Sequence, residues 1–362
     1  MHTPPIHSLP VIPGRGANWN PANRFQPLDV QLDFEHTDDV AELLQDLQRH
    51  PTHYLIDTSR SIIATNDSPD VGFTHSINAY RGCAHGCIYC YARPTHEYLD
   101  FSAGIDFETR ILVKPRAPEL LRQALADPRW KPVTLAMSGV TDCYQPVERK
   151  LQLTRGCLEV LAECRNPVGL ITKNHLVTRD LDLLERLNEH QALSVHISLT
   201  TLQNDLMRVM EPRTSTPSRR LAAIEALAKR KIPVGVLMAP VVPGLTDHEI
   251  LPVLRAAANA GARSAGYVAL RLPGAVAPLF ENWLEQHFPD RKEKVLGRIR
   301  SMRDGKLNDA TFGRRMTGTG VWAEQLSRVF TVARRRAGLD KPMPKLSSAA
   351  FRPPPTSQMT LW

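Results

Sequence analysis

No apolar run in the 362-residue sequence approaches the roughly 18–20 residues that a membrane-spanning helix needs. The first residues, Met1-His2-Thr3-Pro4-Pro5, carry neither the charged start nor the apolar stretch of a secretory signal. A cytoplasmic protein is the expectation. Cysteine is scarce, with six in all, and no second Cys-x2-Cys pair completes a structural zinc site. Nor does a fourth cysteine lie where a ferredoxin-like cluster would want one, since Cys143, Cys157 and Cys164 are far along the chain. In a reducing compartment, cysteines that do cluster are read as metal ligands before disulfides.

Acidic charge is short in one place. The whole chain carries a net +8, yet from Arg291 to Lys345 15 Lys/Arg stand against 5 Asp/Glu. A solvated basic helix face and a phosphate-binding surface both account for such a segment.

What the sequence does have is Tyr80-Arg81-Gly82-Cys83-Ala84-His85-Gly86-Cys87-Ile88-Tyr89-Cys90-Tyr91. Three cysteines in the spacing Cys-x3-Cys-x2-Cys supply three thiolates and leave one coordination position open. A zinc site completed by His85 or His96 is the alternative reading. Cys157 and Cys164, seven apart on one predicted helix, read as core residues.

Around the loop the pattern is periodic. Residues 1–70 read as an extension, Pro-, Gly- and Asn-rich at first, then a polar helix from Asp38 to Arg49 and an apolar stretch Tyr54-Leu55-Ile56. Six strands are predicted at Thr74 to Ala79, Pro132 to Met137, Val168 to Ile171, Leu193 to Leu199, Val234 to Ala239 and Ala265 to Leu270. Helices are predicted over Val147 to Cys164, Asp180 to Leu187, Thr216 to Lys229 and Thr246 to Ala260, and around Pro278 to His287. Thr216-Pro217 and Thr246 read as helix starts, and Gly261 as a helix stop. Strand–helix units of about 30 residues imply a parallel sheet with right-handed crossovers. Six units give an α/β fold, a partial (β/α)6 TIM-like barrel over 71–287 whose chemistry sits at the C-terminal ends of its strands. The basic segment 288–345 holds a predicted helix Val321 to Arg336, and a Pro/Ser-rich tail, 346–362, reads as disordered.

Cys-x3-Cys-x2-Cys with an aromatic residue before the last cysteine resembles the radical S-adenosylmethionine (SAM) superfamily. The resemblance implies a [4Fe–4S] cluster on Cys83, Cys87 and Cys90. It also implies SAM chelated at the open iron and cleaved by an electron to a 5′-deoxyadenosyl radical. By position in the superfamily's pattern, Tyr89 would pack on the adenine. Ser138, Gly139, Thr141 and Asp142 would lie at the methionine amino group, with Asp142 as acceptor although the usual Gly-Gly-Glu-Pro is absent. Lys173 and Ser198 would face the carboxylate or ribose, and Val241 belongs to a turn resembling the adenine contact. Arg213 would bind a carboxylate or phosphate, or form a loop ion pair.

Asn78 to Cys83, Cys90 to Glu97, Thr141 to Arg149 and Met210 to Arg213 look like uncharacterised bacterial proteins grouped with spore photoproduct lyase. Tyr89 and Tyr91 flank the last cysteine as in that lyase, which makes Tyr91 a candidate catalytic residue. The lyase's hydrogen-donating cysteine is replaced here by Ser138-Gly139, and Cys143 is the candidate substitute donor. The function implied is radical repair of a DNA lesion. The alternatives are radical modification of RNA or protein, and a non-enzymatic nucleic-acid-binding module held by a cluster or zinc. A reducing partner such as flavodoxin or ferredoxin is implied too. The final Gln358-Met359-Thr360-Leu361-Trp362 resembles the bacterial sliding-clamp-binding peptide.

Overall fold

A computed structural model of the chain describes residues 10–25 and 50–355. The helix expected at Asp38 to Arg49 and the peptide Gln358 to Trp362 lie outside the described residues.

Ten strands are described: β1 His53–Ile56, β2 Ile63–Thr65, β3 His75–Ile77, β4 Tyr80–Arg81, β5 Arg110–Val113, β6 Leu135–Met137, β7 Val168–Thr172, β8 Leu193–Ser198, β9 Val234–Val241 and β10 Ser264–Ala269. Seven of them form one sheet in the order β10-β9-β8-β7-β6-β3-β2. Its six strands from β3 to β10 are parallel, and β2 is an antiparallel edge. These six are the predicted strands, shifted by a few residues at their ends. The architecture is mixed α/β with a parallel, open sheet, in line with a partial barrel.

The longer helices are α1 Ala117–Ala126, α2 Leu153–Cys164, α3 Leu181–Asn188, α4 Asn204–Met210, α5 Pro217–Lys229, α6 Ile250–Asn259, α7 Val276–His287, α8 Pro289–Ser301 and α9 Gly320–Arg336. Strands covered on both faces must be apolar throughout. Leu170, Val195, Ile197 and Val236 are fully buried, packed with Leu158 and Leu161 of α2, Ile224 of α5 and Leu254 of α6.

Three local expectations need correction. The helix predicted over Val147 to Cys164 is broken. A single turn, Glu148–Leu151, ends at Gln152, whose φ is 51°. The cause is buried Glu148, whose carboxylate accepts from the Thr154 and Arg155 amides and so starts a second helix. Thr246 does not cap α6. Its hydroxyl accepts from the Val242 amide at 2.9 Å and closes the turn after β9. The Thr216 side chain, by contrast, caps α5 through the Arg219 amide, with Pro217 following it.

The third correction is the tail. Residues 346–355, read as disordered, run along the N-terminal edge of the sheet. Asp340 bridges to Ser264 at the start of β10, and the Ser347 amide donates to the Gln191 carbonyl before β8. The Arg352 amide and guanidinium donate to the Cys164 and Glu163 carbonyls, which α2 leaves open at its end. A small sheet, β1-β5-β4, was not foreseen. It pairs Tyr54-Leu55-Ile56 with Ile111-Leu112-Val113, and β4 with the same strand.

Candidate active site at the cysteine loop

β4 leads directly into the cysteine loop, so the small sheet fixes where the loop begins. Gly82 has φ 79°, and a Cβ there would lie 3.0 Å from both the Phe107 carbonyl and the His96 ring. The Cys83 amide donates to that Phe107 carbonyl at 2.9 Å. Two tight turns follow, Gly86 N–H to Cys83 O and Cys90 N–H to Cys87 O. Cys83 and Cys87 are buried, Cys90 half-buried, and all six cysteines are free.

Arg93, fully buried, is the anchor of the loop. It donates to the carbonyls of Cys87, Gly86, Ala103 and Gly104 and pairs with buried Glu108. Glu108 also accepts from the amides of Gly16 and Ala17. The N-terminal segment thus lies directly on the cysteine loop. A Cβ at Gly16 would stand 1.8 Å from the Gly86 carbonyl oxygen.

The loop after β6 forms the facing wall. Asn78 accepts from the Gly139 and Val140 amides, and Ser138 donates to the Thr141 carbonyl. The Thr141 hydroxyl donates to Gly82 O at 2.7 Å, and Gln145 accepts from the Ala84 amide. Asp142, expected to receive the amino group of SAM, is already held. Its oxygens accept from the Tyr144 and Lys173 amides and the Thr172 hydroxyl, and His85 lies 3.4 Å away. Against the upward push of burial, His85 and these donors keep its carboxyl far below the usual range. The structure gives Asp142 the task of joining β6, β7 and the cysteine loop.

Tyr89 is buried, its hydroxyl donating to Glu211 and its ring 5.9 Å below the Lys173 ammonium. It packs with Cys87, Leu206, Met210 and Val242. Lys173 in turn donates to the Ser198 hydroxyl at 3.2 Å. Glu211 also accepts from Thr200 and buried Arg220. Arg220 escaped the sequence reading, although a signal was present. It falls on the apolar stripe of α5 with Ala223, Ile224 and Leu227. Arg213 donates to the Gly14 carbonyl at 3.0 Å and so holds the N-terminal segment, with no carboxylate paired to it among the described residues. Val241 is fully buried at the end of β9, and its carbonyl accepts from the Leu270 amide. Tyr91 is 54% exposed, its hydroxyl on the Gly139 carbonyl and the Arg271 guanidinium 5.6 Å over its ring.

Cys143 is the expected substitute hydrogen donor. It is 4% exposed and packed in the main core with Tyr144, Cys157 and Leu158, a different cluster from the three loop cysteines. Its sulfur faces the Met137 carbonyl. Cys157 and Cys164 are core residues as read.

Beside the loop lies a recess of about 360 Å³, lined among others by Arg149, Asn174, His175, Arg179, Ser215 and Arg219. Asn174 joins it to the cysteine loop, its amide 3.2 Å from His85 Nε2. Arg179 is paired with Glu148 and Asp180. Arg149 and Arg219 have no carboxylate partner among the described residues.

Residues 77–257 match the model of the Radical SAM superfamily. The chain belongs to the radical SAM superfamily. The cofactors of the superfamily are a [4Fe–4S] cluster and SAM. An uncharacterized protein of Mycobacterium tuberculosis is 39% identical over 220 residues, 60% of this chain and 65% of its own length. The chain therefore spans just under two thirds of that relative. An uncharacterized protein of Methanocaldococcus jannaschii is 26% identical over 225 residues, covering 62% of this chain and 80% of its own. Spore photoproduct lyase complexed with dinucleoside spore photoproduct aligns over 80% of each chain with a TM-score of 0.57 and 15% identity. A variant of that lyase with bound AdoMet and the same dinucleoside aligns over 85% of each, also at 0.57. At 15% identity the likeness is one of fold.

The donor set fits the cluster. Three free thiols, two buried and one half-buried, are brought together within eight residues by the two tight turns, and such thiolates are the ligands that an iron–sulfur cluster takes. Burial pushes the Cys87 and Cys90 thiols up, and the Lys173 ammonium opposes that in both. Ligation would replace the thiol protons. These residues would hold a cluster whose chemistry, in the superfamily, is the electron that breaks the sulfonium C–S bond of SAM. The protein's part is to hold the loop rigid through Arg93, Gln145 and Thr141 and to screen one flank with residues 14–17.

Proposed function

We propose that this radical SAM enzyme acts on nucleic acid and repairs a base lesion, beginning with hydrogen abstraction from the damaged base. The observation that carries the reading is the recess beside the cysteine loop, where Arg149 and Arg219, without carboxylate partners, line the same wall as Asn174. Cations without carboxylate partners at the rim of a radical site suit a phosphodiester backbone. The fold shared with spore photoproduct lyase supports the same class of substrate. Tyr91, exposed with its hydroxyl on Gly139, is the residue we assign to hydrogen return, since Cys143 is buried away. A flavodoxin- or ferredoxin-like protein would supply the electron, and the terminal peptide would recruit a sliding clamp.

The test is to incubate the anaerobically reconstituted protein with SAM, dithionite and UV-irradiated DNA. Loss of a defined photoproduct with 5′-deoxyadenosine formed is the expected result. Formation of 5′-deoxyadenosine with every photoproduct untouched rejects lesion repair.

One observation favours a second reading. With Ser138-Gly139 after β6 and Cys143 in the core, no thiol outside the cluster set is placed to return a hydrogen. Consumption of one SAM per product, on RNA or protein, follows from that. A 1:1 ratio of 5′-deoxyadenosine to product marks consumption, and a ratio far below 1 marks regeneration.

A further inference from the structure

A second cleft, of about 620 Å³, opens between α8, α9 and the turn after β9. Its two walls differ in chemistry. α8 presents Arg291, Lys294 and Arg298, which the i, i+3, i+7 spacing puts on one face. α9 presents Trp322, Leu326 and Val329, again on one face. A cationic wall thus faces an apolar, aromatic one.

The charges on α8 sort by face. Lys292 pairs with Glu285 and Arg300 with Glu281, both of α7, away from the cleft. In the cleft, Arg298 is committed twice. It pairs with Asp247 at 2.9 Å, and its guanidinium lies 4.4 Å from the Trp322 ring centre. That fixes the indole, which remains 40% exposed. Asp247, the carboxylate lining the cleft, is thereby neutralised, and it also accepts from the Gly244 amide. Arg291 and Lys294 are exposed and have no carboxylate partner among the described residues. Val329, 52% exposed, extends the apolar wall.

We infer that this cleft binds single-stranded nucleic acid, one unpaired base lying against Trp322 and Val329 and its flanking phosphates on Arg291 and Lys294. Two unneutralised cations call for an anionic occupant. A flat apolar wall opposite them calls for a planar apolar group joined to that anion, and a nucleotide combines both. A duplex keeps its bases stacked inside and presents no face to the indole. The cleft begins at Pro243 and Gly244, just past the C-terminal end of β9. The cysteine loop follows β3 at the same edge of the sheet. A strand held in the cleft therefore lies on the side of the sheet where the chemistry is. The inference rests on the reading that the substrate is nucleic acid, and it names where the strand is gripped.

The probe is a (dT)12 oligonucleotide titrated into the reconstituted full-length protein, with tryptophan fluorescence and anisotropy as readouts. We expect quenching in the wild type that Trp322→Phe abolishes while keeping most of the affinity. Trp322→Ala should weaken binding at least about 5-fold. Arg291→Ala with Lys294→Ala, both at exposed positions, should weaken it further at low salt. That pair should also lower the slope of log K against log salt by about 1.4, the share of two phosphates on a single strand. Formation of 5′-deoxyadenosine without nucleic acid should be unchanged in every variant, as should circular dichroism. Wild-type binding that the Arg291/Lys294 double variant leaves intact overturns the cleft alone. Absence of oligonucleotide binding in the wild type overturns the nucleic-acid reading and the cleft with it. Equal binding of polyglutamate, without the Trp322 quench, identifies an acidic protein partner and rejects the inference.

Discussion

The cysteine loop and the α8–α9 region are both rich in charge, and they use it in opposite ways. At the loop three buried charges are matched in pairs. Arg93 pairs with Glu108, His85 with Asp142, and Arg220 with Glu211. Burying a lone ion costs several kcal/mol, so such groups are placed in pairs and their partners fix the backbone between them. On α8 two cations are left exposed and unmatched, where solvent makes that inexpensive. Charge at the loop specifies a geometry. Charge at the cleft remains available to a ligand. The basic segment divides along the same line, for Arg303 is buried on the carbonyls of Ala269 and Leu270, and Arg315 pairs with Asp70. Part of what reads as a phosphate-binding run is internal scaffold.

The comparison breaks most completely at the ligands. Replacing Cys83, Cys87 or Cys90 by Ala should abolish both the iron–sulfur absorption near about 400 nm and 5′-deoxyadenosine formation in protein reconstituted without oxygen. Oligonucleotide binding in the α8–α9 cleft should persist. Loss of both together would mean that the two regions are not independent.

Arg93→Met comes next. It leaves Glu108 buried without its partner and frees four carbonyls of the loop and its neighbour. A destabilisation of about 3–5 kcal/mol is expected from chemical denaturation. A surface variant such as Lys292→Met, which breaks an exposed pair, should cost under about 1 kcal/mol. Similar losses for the two would remove the distinction between structural and free charge.

Much of the scaffold was legible in the sequence because it repeats. The six parallel strands are apolar runs at regular spacing, and Thr216-Pro217 and Gly261 mark helix ends by local chemistry alone. The three thiol ligands were legible because their spacing is itself the signal. What stayed hidden depends on pairing across distance. Glu148 breaks a helix because Thr154, Arg155, Tyr80 and Arg179 converge on it. Asp142 was read as a free acceptor, but its donors come from β7 and from His85, which no spacing in the sequence connects. Arg213 reads in the sequence as an anion contact or a loop ion pair, and its bond to Gly14 joins positions 199 residues apart.

A single kind of substitution gives opposite signs in the two regions. Gly16→Ala drives a methyl group onto the Gly86 carbonyl and should cost about 1–3 kcal/mol, with faster oxygen bleaching of the cluster as residues 14–17 lift. Gly297→Ala on α8 meets nothing within 4 Å and should stabilise the chain by about 0.5–1 kcal/mol. Thermal melts of the two variants decide it, and matching signs would contradict the close approach. Cys143→Ala should cost roughly 1 kcal/mol and leave product formation intact, as expected of a core side chain. Loss of product with 5′-deoxyadenosine retained would return Cys143 to the chemistry.

The smallest effect on chemistry should come from removing Gln358 to Trp362. The described chain reaches residue 355 at the N-terminal edge of the sheet, opposite the edge that carries the cysteine loop. Neither the cysteine loop nor the cleft draws on that last described stretch, so 5′-deoxyadenosine formation and (dT)12 affinity should be unchanged by the deletion. Binding to a bacterial sliding clamp, measured by surface plasmon resonance, should be lost. Tethering would then raise the effective concentration of enzyme at DNA without any new contact at the site. If the intact chain shows no clamp binding, recruitment falls to the cations of α8 and of the recess beside the cysteine loop, and Arg291→Ala with Lys294→Ala should then weaken association with DNA by the same factor in the intact and the truncated chain.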